Sequence, residues 1–120
     1  MKNLLKAVIL ASTVGLTNCT PFIYEYNGKI GDELVRSCDL TALNEFILEI
    51  TKKDGRVITY YDKCRDKILD SVMILKDKET KTYKKDKIGE EALKIAQQQY
   101  TDYLTKILEI KRKRAVEEIQ

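Results

Sequence analysis

Histidine is absent from this chain of 120 residues, and so is tryptophan; there is one proline, with five glycines and two phenylalanines. Lack of histidine removes the commonest general base and the commonest neutral metal ligand. Ser12, Ser37 and Ser71 therefore have no imidazole to activate them, and no glycine-rich phosphate loop is present. Enzyme activity, a cofactor and a metal centre are not expected. An excess of one charge is also missing. Without Lys2 and Lys6, 20 basic residues face 19 acidic ones, a net charge of +1. Nucleic-acid binding needs a concentrated basic face, which this balance does not provide.

What is present begins at the N-terminus. Lys2 and Lys6 precede a mostly apolar run from Ala7 to Leu16, which is the pattern of an export signal. The run is too short to span a bilayer durably, since a stable span needs about 20 apolar residues. Residues 1–18 are read as a removed export signal, 19–31 as a lead-in or tether, and 32–120 as one domain.

Leu16-Thr17-Asn18-Cys19 resembles the lipobox of bacterial lipoprotein precursors, with matches at Leu16 and Cys19 and with Asn18 where Gly, Ala or Ser is usual. The resemblance covers the signal region alone. It implies that Cys19 receives a diacylglycerol and becomes the mature N-terminus, exported and membrane-anchored in the cell envelope, facing the periplasm or exterior. The chain has three cysteines, an odd count for an exported protein. With Cys19 acylated, Cys38 and Cys64 remain as a pair, favoured as a disulfide in an oxidising compartment. Such a bond would contribute about 3–4 kcal/mol in the chain-entropy model.

Apolar spacing suggests helices. Leu43, Phe46, Ile47 and Ile50 recur at three and four residues, and so do Val57, Tyr61, Cys64, Ile68, Val72 and Leu75. Gly31-Asp32 reads as a helix N-cap and Asp54-Gly55 as a helix end. Asn27-Gly28 is the strongest local turn signal. Two straight helices hinged at Gly55 would place Cys38 and Cys64 about 25 Å and about 13 Å from the turn, too unequal for a disulfide. Extending the β-branched, aromatic segment 56–61 would reconcile the two. Residues 76–87, with six lysines and three acids, read as a solvated loop. A last helix from about Asp86 to Glu118 carries the stripe Ala92, Ala96, Tyr100, Tyr103, Ile107 and Ile110. The expected fold is mainly α, a small helical bundle with a long C-terminal helix and one disulfide. The alternative is α+β, with short strands at about 22–26 and 56–61.

The candidate partner contacts are Tyr60, which lies off its stripe, an acidic row of Asp62, Asp66 and Asp70, and the basic run Lys111, Arg112, Lys113 and Arg114. Tyrosine suits an interface because it combines large area with a polar tip. The row can equally be a solvated, ion-paired face and the basic run a polar helix tail or an approach to anionic head groups. The expectation is a binder of another protein, of immunity, inhibitor or exclusion type. A structural lipoprotein subunit of an envelope or secretion assembly, with possible homo-oligomers, is the alternative. A subunit of that kind should leave an apolar stripe exposed along residues 92–110.

Overall fold

The computed structural model of the chain describes residues 24–120. Cys19 and the expected export signal, residues 1–18, lie outside the described residues. Six strands follow in chain order: β1 (Tyr24–Ile30), β2 (Glu33–Leu40), β3 (Glu45–Thr51), β4 (Val57–Lys63), β5 (Ser71–Lys76) and β6 (Glu79–Lys84). One helix, α1 (Glu90–Ile119), completes the chain. The strands form one antiparallel sheet in the order β1-β2-β3-β4-β5-β6, each paired with its chain neighbour.

The mainly α helical bundle is thus overturned: sheet replaces every expected helix except the last. The segments 22–26 and 56–61 of the α+β alternative overlap β1 and β4, and β1 carries the folded domain back into the expected lead-in. The reason lies in burial on two sides. Phe46, Leu48 and Ile50 of β3 and Ile58 and Tyr60 of β4 share the face under α1, and they pack there with Val35, Val72 and the helix stripe Leu93, Ala96, Tyr100, Tyr103 and Ile107. Ile47 and Cys38 are buried on the opposite face with Leu40 and Tyr61 beside them. Arg36 pairs with the buried Glu49 on that same face, across β2 and β3. A strand buried on both faces reads as a continuous apolar run, which also satisfies helical spacing.

The turn signals mark hairpins. Gly31-Asp32 joins β1 to β2, with Gly31 at φ 63°, and Gly55 at φ 94° turns the chain between β3 and β4. Asn27-Gly28 lies inside β1. A Cβ at Gly28 would stand 3.1 Å from the Tyr26 hydroxyl, so glycine is there for close approach, not for a turn. The lysine-rich loop is the β5–β6 hairpin, and its edge strand β6 is exposed apart from the half-buried Tyr83. Lysines on an exposed edge discourage pairing with other chains. The hairpin turns on Asp77 and Lys78, at φ 50° and 69°, the signs of a type I′ turn. Lysine in that conformation costs about 1–2 kcal/mol, and glycine returns about half of the relief as chain entropy. Lys78→Gly should therefore raise stability by about 0.5–1 kcal/mol, read as a higher midpoint in thermal unfolding.

Cys64 sits at the start of the β4–β5 connection as an exposed free thiol, so the expected Cys38–Cys64 disulfide does not form. No disulfide joins two of the described residues. The strand register explains this. Cys38 lies opposite Ile47 in β2–β3, whereas Cys64 has left the sheet after β4 with φ 72°. Cys64→Ser should leave stability within about 0.5 kcal/mol. Loss of a staple across that loop would cost about 2–5 kcal/mol. Denaturant titration of the variant separates the two.

Candidate functional site

The 30 residues of α1 extend about 45 Å across one face of the sheet. Its entry is held by Asp86, whose Oδ1 accepts from the Gly89 amide at 2.7 Å and the Ile88 amide at 3.1 Å. Gly89 is required there, since a Cβ would fall 2.3 Å from the Lys84 carbonyl oxygen. Mid-helix, Tyr103 donates to Glu33, and Lys52 bonds Glu33 at 2.7 Å. The Glu33 carboxyl is desolvated by burial, yet the bonds from Lys52 and Tyr103 outweigh this and hold it below the usual range. Further along, Lys111 reaches Glu25 at 2.8 Å, and the Arg114 guanidinium lies 5.6 Å from the centre of the Tyr26 ring. These contacts fix the direction in which α1 crosses the strands.

At one end of the sheet, Asp39, Phe46 and Asp62 are register neighbours on β2, β3 and β4. They lie beneath the helix segment from Tyr100 to Lys111 and leave a cleft of about 290 Å³ between sheet and helix. Its apolar lining comes from Phe46, Leu104, Ile107 and Leu108. Glu25, Asp39, Arg65, Lys67 and Lys111 form a charged rim, and Asp62 and Tyr100 complete the lining. Leu108, which lines the cleft from the helix, is 47% exposed.

The rim is shaped by the β4–β5 loop, and here the acidic row finds its place. Asp62 is buried; it accepts from the Tyr100 hydroxyl at 2.9 Å, the Lys67 amide at 2.9 Å and the Asp66 amide at 3.2 Å. Asp66 accepts from the Ile68 amide at 3.0 Å, and Asp70 from the Lys63 amide at 2.7 Å. The three aspartates do not share one outward face. They hold a loop in which Cys64, Arg65 and Lys67 all have positive φ. Burial pushes the Asp62 carboxyl up, against the bonds from Tyr100 and Lys67 that favour its ionised form. The bond from the Ile68 amide is the main influence holding the exposed Asp66 carboxyl below its ordinary range. Gln97 ties the loop to α1, accepting from the Leu69 amide at 2.7 Å and donating to the Lys67 carbonyl at 3.0 Å.

Of the other expected contacts, Tyr60 is completely buried between Tyr100 and Tyr103 and presents no surface to a partner. Arg112, Lys113 and Arg114 are exposed on the last turns of α1, and Lys111 is half-buried at the cleft. The structure therefore brings Asp62 and Lys111 to one site and leaves Tyr60 out of it. The site also takes in Phe46, Arg65, Lys67 and Leu108, which the sequence does not single out as contacts, and Tyr100, which the sequence offers as an interface tyrosine but places on the helix stripe as core. Among the described residues, no group of three His, Cys, Asp or Glu side chains is placed to hold a metal ion. No helix of the described residues is long and apolar enough to cross a membrane. Compared with protein families, with curated proteins and with solved structures, the chain finds no match.

Proposed function

We propose that this is a small exported protein of the bacterial cell envelope, lipid-anchored through Cys19, which binds another protein through the cleft between α1 and the sheet end. The observation that carries the reading is the cleft itself: an apolar floor open to solvent, inside a ring of charged side chains, two of them, Arg65 and Lys67, on a braced loop. Interface centres are typically apolar pockets with a polar rim. Absence of histidine from the chain supports binding over catalysis. A lipobox-like segment before Cys19 supports the envelope address.

The helix stripe supports a binder over an assembly subunit. Leu93, Ala96, Tyr100, Tyr103 and Ile107 are covered by the protein's own sheet, so residues 92–110 offer no continuous apolar seam to a partner subunit.

Two measurements test this. A photo-crosslinking residue at Leu108, in cells that make the chain natively, should give a discrete adduct with one protein. The same residue at Thr80, on the exposed edge strand, should not. Equal labelling from both positions, or none from Leu108, would sink the binding reading. The intact mass of the protein from the membrane fraction should correspond to a chain starting at Cys19 plus acyl groups. An unmodified mass would remove the anchor.

A further inference from the structure

The cleft has a chemistry more specific than an apolar pocket with a mixed rim. Its three carboxylates are already engaged: Glu25 with Lys111 at 2.8 Å, Asp39 with Arg65 at 2.8 Å, and Asp62 with the Tyr100 hydroxyl and two loop amides. Two of the three rim cations are consumed in those pairs. Lys67, the third, forms no ion pair among the described residues, and neither does Arg112. Arg112 is exposed and lies one helical turn beyond Leu108, on the same side of α1. Uncommitted positive charge thus stands on the rim at Lys67 and, just outside the lining, one helical turn beyond Leu108 at Arg112.

Lys67 is also held in place. Its amide bonds Asp62, its carbonyl accepts from Gln97, and its backbone has φ 69°. A residue kept in that sparsely populated conformation by surrounding bonds has a fixed direction from the loop, and such strain persists only where the structure over-determines it. The space is also restrictive. About 290 Å³ is at the lower end of what small-molecule sites offer. It suits one anchoring side chain, the usual unit of a protein interface.

We infer that the cleft receives a segment of the partner in which one large apolar side chain is flanked by carboxylates. The apolar side chain lies on Phe46 and Leu104, beside Leu108, and the flanking carboxylates meet Lys67 and Arg112. This rests on the protein-binding reading above and adds the partner's chemistry to it. Rim charges of this kind steer association and select the partner, and salt weakens them.

Blocked tripeptides probe it directly: N-acetyl-Glu-Phe-Glu-amide, its neutral counterpart with glutamine at both ends, and an acidic control with alanine at the centre. Titration into the isotopically labelled protein, followed by amide chemical shifts, should place the first peptide at Phe46, Tyr100, Leu104 and Leu108. The neutral peptide should bind at the same residues about three- to fivefold more weakly, the scale of exposed ion pairs, and the alanine peptide should leave them unmoved. A Lys67→Gln/Arg112→Gln double variant, altered at exposed positions alone, should erase the difference between the first two peptides. Equal binding of the acidic and neutral peptides by the native protein would overturn the carboxylate requirement and leave the cleft as a protein-binding site. Shifts confined to the lysine-rich hairpin 76–87, or no shifts at the cleft from any peptide, would overturn both.

Discussion

Tyr60→Ala should abolish folding or bring the protein close to it, while Tyr60→Phe should leave a stable domain. Tyr60 is fully buried in β4, its ring 5.9 Å from that of Tyr100 in a stacked pair and 6.2 Å from that of Tyr103 in a tilted one. Truncating a buried aromatic residue to alanine costs about 3–5 kcal/mol, and loss of two ring pairs adds about 0.5–1.5 kcal/mol for each. A single domain has about 5–15 kcal/mol in total. The cavity also cannot collapse easily, because its walls are a paired strand on one side and a helix anchored at both ends on the other. The hydroxyl is a separate matter. It donates to Gln99 at 3.1 Å on the α1 side, and removing it costs about 0.5–1.5 kcal/mol. Urea unfolding of the two variants reads both effects. A loss below about 1 kcal/mol for Tyr60→Ala would mean that the helix does not rest on this ring.

The same residue shows how much was legible in the sequence. By spacing alone Tyr60 lies off a helical stripe, because Val57, Tyr61 and Cys64 fit intervals of four and three. In the sheet the relevant partners are two residues away: Ile58, Tyr60 and Asp62 face α1, while Thr59 and Tyr61 face the other side. A period of two was hidden because Ile58, Thr59 and Tyr60 are all buried, on alternate faces. The turn residues Gly31 and Gly55 were recognised as breaks, yet a left-handed glycine ends a helix and closes a hairpin equally well. The expected bond between Cys38 and Cys64 then excluded a straight helical hairpin for a reason that does not operate here. Helix α1 was legible because its stripe has a covered side and a solvated side. Asp62 and Lys111 are identifiable in the sequence as charges of interest, but the cleft joins them to Phe46, 16 and 65 positions away, through strand register and the packing of α1 on the sheet. No local spacing carries that.

Raising the pH above 10 should unfold the domain steeply, and the core tyrosines should ionise only as it unfolds. Burial pushes the Tyr100 hydroxyl far above its ordinary value of 10.0, helped by the bond it donates to Asp62 and by the charges of Asp62, Asp66 and Asp70. Burial likewise raises Tyr60, with the neighbouring Tyr103 and Glu33 adding to it against Lys52. Tyr103 is raised by burial and by the Glu33 carboxylate to which it donates. In the unfolded chain all three lose their protons near pH 10, whereas the folded protein keeps them well beyond it. The folded state therefore binds more protons in that window, so stability is intact below pH 10 and falls as pH rises through it. Each such tyrosine contributes at most about 1.4 kcal/mol per pH unit to the slope, with Tyr103 contributing less because Glu33 and Lys52 beside it are partly open to water. Urea titrations from about pH 9 to about pH 12, with tyrosinate absorbance recorded alongside, would show ionisation and unfolding together. Removing one titrating hydroxyl with Tyr60→Phe should make the loss shallower. If every tyrosine ionised near pH 10 while the fold persisted, the hydroxyls would not be buried under α1, and the helix would have to be placed elsewhere on the sheet.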